Sequence, residues 1–549
     1  MAFRPLALLP LLAAACAPSQ SGASAEPPAA AAAVDPYAIT VDAAAGRRAI
    51  DPMIYGVNGA STETLEQLNL PLNRSGGNSV SMYNWRLDAR AAGSSWFFES
   101  LKTDSSPWQR YGSDFVGLTK AAGAQPMLSV PMMDWQAKLA PDGDRLAGYS
   151  IARYGLQQET DTAGMAEAGN GIALDGRPID NDPTDAAIPA TLADRQAWVR
   201  SIVDRWGKAS AGGVRYWLMD NEISRWHDIH RSVQKEGVRA AEVERRVRQY
   251  AAMVKAVDPG ARIVAPEEWG WLGYHESGFD QQQGELKRDA RPDRDQVQKG
   301  MAYVPWLLSR WKAAGRPIDV FSLHYYPQGG EYEHADDVSP AMQRLRNRST
   351  RSLWDPAYKD PTWIADVVRL IPRMREWADT YYWPGTPIAL TEYSWGADKH
   401  MNGATAQADI LGIFGREGLD MAARWIAPEP GTPVWEAFRL YRNYDGRKST
   451  FGETSVAAAA PDPDRVAAFA ALRKKDGALT LMVVNKQIDA PAPLSFAIRN
   501  YAGAGRVEAV RLAGGRIAPL PAAAYAGGRL KATLPAQSVT LFVLHGAGR

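Results

Sequence analysis

Eight short runs rich in β-branched and aromatic residues, at 54–58, 70–75, 125–132, 215–222, 261–268, 319–326, 387–393 and 421–427, are spaced so that helix patterns fit between them. Alternation of this kind calls for a parallel sheet with helices packed on its outside, and eight such units close into a (β/α)8 barrel. In the stretch 194–208, Trp198, Ile202 and Trp206 recur at intervals of four and share one helix face. Stretches 242–257 and 364–382 read similarly, with Pro372 expected to end or kink the second. The Gly- and Asp-rich stretch 141–190 and the polar stretch 272–300 are too long for plain connections, so both are expected as loops over a functional face. After about residue 446 the helical signal gives way to alternating runs at 466–472, 479–485, 494–498, 507–511 and 539–544, with a hairpin turn at Lys475-Asp476-Gly477. The expected fold class is therefore α/β: a (β/α)8 TIM-like barrel over 51–446 and a smaller antiparallel β-sandwich over 447–549. The segment 37–50 ahead of the barrel carries a strand that should pair with the sandwich.

Charge and cysteine content remove whole classes of function. Lys and Arg total 62 against 61 Asp and Glu, which leaves no broad electropositive field, so nucleic acid is not an expected partner. Trp (19) and Tyr (21) both outnumber Phe (12), a bias toward flat rings with a polar handle that suits sugar faces as well as cores. Cys16 stands alone, so neither an intrachain disulfide nor a thiolate metal site can form. It follows a charged Arg4, an apolar stretch too short to span a bilayer, and Ala13-Ala14-Ala15. Segment 1–16 thus resembles a bacterial lipoprotein signal with Cys16 as the lipidated residue, an ordinary cleaved signal being the alternative. The Ala/Ser/Pro-rich segment 17–36 is a flexible tether. Export across the inner membrane is expected, with a lipid anchor at the outer membrane or, without it, a periplasmic or extracellular location. The lipid would be the only membrane contact, and a monomer is expected.

Barrel chemistry gathers at the C-terminal ends of the strands. The fourth run ends in Asp220-Asn221-Glu222 and the seventh in Thr391-Glu392-Tyr393, so two carboxylates from distant parts of the chain would face each other across one cleft. Such a pair suits glycoside cleavage, one carboxyl protonating the leaving oxygen and the other attacking or stabilising the sugar cation. A strand-end Glu on its own is ordinarily a solvated or salt-bridged residue; it is the joint placement that carries weight. Around the pair, Asn221 and Asn78 are candidates to hold substrate hydroxyls, and His324 at the sixth strand end is either a hydrogen-bonding group of the cleft wall or a core histidine. Arg74 at the second strand end would orient Glu392 or a sugar hydroxyl, or form a structural salt bridge in the barrel mouth. Tyr326 and Tyr393 could donate to a carboxylate or to substrate, and Asp220 could join the acid circuit. Trp85, Trp96, Trp135, Trp226, Trp269, Trp271 and Trp395 follow strand ends, and about half are expected to stack on sugar rings, whereas Trp198, Trp206, Trp311 and Trp377 fall in helix patterns as packing. Asp180-Asn181-Asp182 invites a calcium reading but lacks the spacing of a known loop, so a solvated turn is expected, with no metal and no cofactor.

Six ordered segments, DPMIYGVN (51–58), RSGGNSVSMYNW (74–85), RYWLMDNE (215–222), DVFSLHYYP (319–327), ALTEYSWG (389–396) and YRNYDGRKSTFGETSV (441–456), resemble glycoside hydrolase family 44. The resemblance implies a TIM-like barrel joined to a β-sandwich, and a retaining double displacement on internal β-1,4-glucosidic bonds of cellulose-like glucans or xyloglucan. It implies Glu222 as acid/base and Glu392 as nucleophile, the first carrying a proton in the free enzyme and the second ionised. Ile223 stands where the family usually has Pro, so the loop leaving the fourth strand should differ. Ser75 and Ser394-Trp395 are further departures, which bear on subsite preference. The alternatives are a glycosidase of the same fold acting on xylan or mannan, and a non-catalytic glycan-binding lipoprotein, which would have no need of both acids.

Overall fold

The computed structural model describes residues 35–104, 110–502 and 505–546; Cys16, the signal segment and nearly all of the tether lie outside them. The eight runs become a closed parallel barrel of β1 (Gly56–Asn58), β2 (Leu72–Ser75), β3 (Gln125–Val130), β4 (Tyr216–Met219), β5 (Arg262–Glu268), β6 (Val320–Tyr325), β7 (Ile388–Tyr393) and β8 (Met421–Arg424). Because side chains alternate along a strand, every second residue points into the barrel. Low in the interior, Leu72, Met127, Leu218, Val264, Val320, Ala389 and Met421 form an apolar plug. Two residues further along, the same inward face carries Arg74 on β2, His324 beyond Ser322 on β6, and Thr391 on β7. The plug thus becomes the floor on which the charged groups sit.

Several expected boundaries are corrected. β4 stops at Met219, three residues short of Glu222, because Asp220 (φ 62°) and Glu222 (φ 45°) adopt left-handed backbone that no strand can continue. The helix expected at 364–382 is Leu370–Tyr381, and Pro372 neither ends nor kinks it, since it falls in the first turn where an N–H has no intrahelical partner. The stretch 272–300 is largely helical, with Trp271–His275 followed by Gly278–Glu285, the latter capped by the Ser277 hydroxyl. The helix read at 194–208 runs Leu192–Trp206 and starts with a reciprocal Thr191/Asp194 capping box.

From Thr454 onward the chain forms a mostly antiparallel sheet domain. Its path runs Arg516–Tyr525, Gly505–Ala513, Ser538–Leu544, Leu479–Asn485, Val466–Leu472, Thr454–Ala459, Ala38–Asp42, Ala492–Arg499, Arg529–Leu534. Ala38–Asp42 sits inside this path, antiparallel to Thr454–Ala459 and parallel to Ala492–Arg499. Three strands, Thr454–Ala459, Arg516–Tyr525 and Arg529–Leu534, escaped the sequence reading because small and charged residues blur their alternation.

Residues Pro36–Arg549 form one compact unit. The seam is the helix Met401–Glu417, buried along nearly its whole length because the barrel covers one side and the sheet domain the other. At Gly412 a Cβ would stand 2.2 Å from the Phe469 ring, so only glycine allows this approach. Across the same seam the Lys486 ammonium meets the Asp409 carboxylate at 2.6 Å, both fully enclosed. Lys486→Met is expected to strand Asp409 without its cation and to cost roughly 3–5 kcal/mol. Urea unfolding of the two proteins checks this; a midpoint within error of the parent would mean the pair contributes nothing.

Candidate active site

The cleft at the strand tips is organised by Arg74, which is completely buried. One guanidinium nitrogen donates to Glu392 Oε1 at 2.7 Å and to Asn58 Oδ1 at 2.8 Å. The other donates to Glu267 Oε2 and to Asn221 Oδ1, both at 3.0 Å. Of the two readings of Arg74, the structure gives both at once: it orients Glu392 and it is a buried ion-pair residue. Tyr326 completes the second oxygen of Glu392, its hydroxyl donating to Oε2 at 3.0 Å.

A register shift on β7 brings Glu392 to this place. Pairing with β6 slips between Leu323/Leu390 and His324/Glu392, so Thr391 and Glu392 both reach interior partners. Thr391 donates to Glu267 Oε1 at 2.8 Å while Glu392 meets Arg74. On the other side, Glu222 is presented by the left-handed turn after β4, tied down where its N–H donates to the Glu267 carbonyl at 3.1 Å.

His324 joins the two acids. Its Nδ1 lies 2.8 Å from Glu222 Oε1 and 3.7 Å from Glu392 Oε2, and its Nε2 lies 3.3 Å from Glu267 Oε2. Burial works against a charged imidazole, but the Glu392 charge and the hydrogen bonds to Glu222 and Glu267 overcome it and push His324 up to about 10. The ring is therefore an imidazolium at neutral pH, a counterion and not a core histidine. Glu267 is held below the ordinary carboxylate range despite complete burial, by Arg74 and His324 together. Glu222, His324 and Glu392 offer atoms within 4.8 Å of one another, a spacing that could also hold a cation. A protonated imidazole has no lone pair to give, so a cation there would have to displace the imidazolium proton.

The remaining sequence-derived candidates divide. Asn221 joins the network, accepting from Arg74 and the Gly77 N–H and donating to Asn78 Oδ1 at 3.1 Å, so Asn78 lies one hydrogen bond from the core of the site. Asp220 faces away, accepting from the Ser81 hydroxyl and the Met132 N–H, with burial raising it to about 6; it anchors the turn and takes no part in the acid circuit. Tyr393 points out of the barrel, where its hydroxyl receives a bond from Gln407 at 3.0 Å and its ring packs on Phe414, so it touches neither acid. Trp395 is buried against Tyr325 with its Nε1 on Ser349, and Trp226 is buried as well; neither has a ring face for a sugar. Trp271 is likewise packed, beside His275. Trp85, Trp135 and Trp269 are half-buried, Trp85 under the Arg86 guanidinium, while Trp96 is 45% exposed. The Asp180–Asp182 triplet points three ways: Asp180 pairs with Lys235, Asn181 donates to Gly148 and Ser232 carbonyls, and Asp182 caps Thr184.

The sequence reading passed over Glu267, Glu268, Thr391, Asn58 and Trp363. The Glu267-Glu268 pair ends β5 just as Asn221-Glu222 follows β4, and that signal was available. Trp363 is 54% exposed and its Nε1 donates to Gln328, two residues beyond Tyr326, yet it lies in a turn far from any strand run.

A family model described as glycoside hydrolase family 44 matches residues 89–329. The fold superposes on CelM2, a bifunctional glucanase-xylanase from a metagenome library, with a TM-score of 0.90 and 48% identity over 93% of this chain and 99% of that one. A Paenibacillus polymyxa xyloglucanase of the same family, solved with xyloglucan, is 26% identical with a TM-score of 0.75, over 93% of this chain and 100% of that one. Endoglucanase A of Paenibacillus lautus is 30% identical over 498 residues, which is 85% of this chain and 66% of the relative. The chain spans 34% and 66% of the lengths of the two curated relatives it matches.

Proposed function

Because this chain belongs to glycoside hydrolase family 44, we propose that it cleaves internal β-1,4-glucosidic bonds of cellulose-like glucans or xyloglucan with retention of configuration. The observation that carries the stereochemical part is the approach of a Glu222 oxygen and a Glu392 oxygen to within 4.8 Å. Retaining enzymes keep their two carboxyls about 5–5.5 Å apart, whereas inverting ones leave about 6.5–9.5 Å for a water between them.

In this reading Glu392 is the nucleophile. Its oxygens are aimed by Arg74 and Tyr326, so attack on the anomeric carbon starts from a fixed direction. Glu222, on the cleft side of His324, gives its proton to the leaving oxygen. After the glycosyl-enzyme forms, the same carboxylate takes a proton from water, which attacks the anomeric carbon and frees Glu392. Arg74 and His324 supply the positive charge that faces the Glu392 carboxylate before it is bonded to sugar.

Reducing-end release from carboxymethyl cellulose, xyloglucan, xylan and glucomannan tests the substrate, and proton NMR of the first-formed anomer tests retention. Release of β-anomer from a β-glucan is the expected result; α-anomer as the first product would overturn the double displacement. The 48% likeness to a glucanase-xylanase favours xylan as the second substrate to try. Trp363 is proposed as a sugar platform at the cleft rim. Trp363→Ala is expected to raise KM for xyloglucan roughly tenfold, about 1.4 kcal/mol, with kcat little changed. An unchanged KM in steady-state kinetics would remove it from the binding surface.

A further inference from the structure

Beside the acids already described lies a third carboxyl with no part in that account. Glu268, the last residue of β5, is completely buried. Glu267 before it has φ 62°, and the pairing of β5 with β6 shifts between Pro266 and Glu268. This kink lets two consecutive glutamates serve different partners: Glu267 meets Arg74, and Glu268 meets Ser224, whose hydroxyl donates to Oε2 at 2.5 Å. Ser224 belongs to the 3-10 turn Ile223–Arg225, and the residue that opens that turn is Glu222.

Groups from every neighbouring element face the Glu268 carboxyl. They are Glu222 and Ser224 from the turn after β4, Tyr303 from the start of the helix Tyr303–Ala313, Tyr274 from the helix Trp271–His275, and His324 from β6. The Tyr303 hydroxyl approaches without the alignment of a full hydrogen bond, and Oε1 is left buried with no partner. An anionic oxygen in that position would cost far more than a protonated one.

We propose that Glu268 is a positioning residue for the acid/base step: its carboxyl, holding a proton of its own, anchors through Ser224 the turn that presents Glu222. The inference rests on the role given to Glu222 above. Glu268 gives and takes no proton in the cycle. Its neutrality matters because Glu222 must become an anion when it protonates the leaving oxygen, and a second anion beside it would oppose that step. Burial, opposed by the Ser224 hydrogen bond and the His324 charge and reinforced whenever Glu222 is an anion, raises Glu268 to about 8, in keeping with a neutral group at neutral pH.

The test has one readout that needs no turnover. Infrared difference spectra between the parent and Glu268→Gln should show a protonated-carboxyl band at pH 7 that is lost as pH rises through about 8. In Glu222→Gln, where no second carboxylate can form beside Glu268, the band should be lost at lower pH. Absence of the band at pH 7, or a titration indifferent to residue 222, overturns the proposal. The second readout is kinetic. Glu268→Ala and Ser224→Ala should each lower kcat on glucan roughly 10- to 100-fold, with less loss on an aryl cellobioside whose leaving group needs no acid. Glu268→Gln should restore most of what Glu268→Ala loses. Equal losses on both substrates would mark a merely structural role. A parent that cleaves no glycan would refute the proposed function, while the infrared titration would still decide whether Glu268 is neutral and coupled to residue 222.

Discussion

Glu392→Gln is expected to lower turnover of both polymer and activated aryl glycoside by roughly four orders of magnitude or more, the scale seen when a covalent nucleophile is removed. The amide has the shape of the carboxylate, and Arg74 keeps its ion pair with Glu267, so the fold should survive and the loss can be read as chemistry. Glu222→Gln should behave differently. A general acid contributes about 10²–10⁴-fold, and only where the leaving group needs a proton. Polymer cleavage should therefore fall steeply, while an activated aryl glycoside still forms the glycosyl-enzyme and then stalls, because no base remains to activate water. Intact-protein mass spectrometry after mixing distinguishes the two: a covalent adduct accumulates in Glu222→Gln and never in Glu392→Gln. An adduct on the Glu392 variant, or identical behaviour of both, would reverse or remove the assignment.

The second large effect is expected from Arg74→Met. Methionine fills much of the arginine volume but leaves Glu267 and Glu392 without the cation they share, with only His324 to balance them. Breaking a buried pair by deleting one partner costs about 3–5 kcal/mol, so the variant should unfold at clearly lower urea concentration and lose activity as Glu392 loses its aim. The pH dependence carries a distinct signature. In the parent, Glu267 is held below its unfolded value, so its contribution is present above the ordinary carboxylate range and is lost as pH falls through the depressed one. Without Arg74 the burial of Glu267 dominates and the sign reverses, so the variant should gain relative stability on mild acidification. Urea unfolding of both proteins between pH 4 and pH 8 would show converging midpoints at the acid end. Parallel curves would mean that Arg74 is not what keeps Glu267 charged.

The barrel was legible because its signal is local: eight apolar runs must each be buried, and a parallel strand buried on both faces cannot hide among polar residues. Glu222 and Glu392 were legible for the same reason, as acids at the ends of such runs. Direction was not legible. Tyr393 and Trp395 directly follow Glu392, yet the kink in β7 turns the glutamate inward and leaves both rings packed outside the barrel. Glu267 went unread because a strand-end pair of acids says nothing of which one turns toward Arg74; that choice is made by a left-handed backbone conformation, which composition does not record. The weak strands of the sheet domain were lost for another reason: Ala-rich strands need little burial from each residue when their neighbours supply the core.

The strand Ala38–Asp42 lies within the sheet path between partners from the far end of the chain, and Asn500 bonds Asp42 across 458 positions of sequence. As the chain is synthesised, this strand is made well before Thr454–Ala459 and Ala492–Arg499, and its place in the sheet cannot exist until both have been made. Its docking therefore follows theirs and closes the longest loop among the described residues, and contacts of such long range slow folding. Once made, the closure ties both ends of the described chain into one sheet: losing the first strand would part Thr454–Ala459 from Ala492–Arg499, and losing the last would part Leu479–Asn485 from Gly505–Ala513.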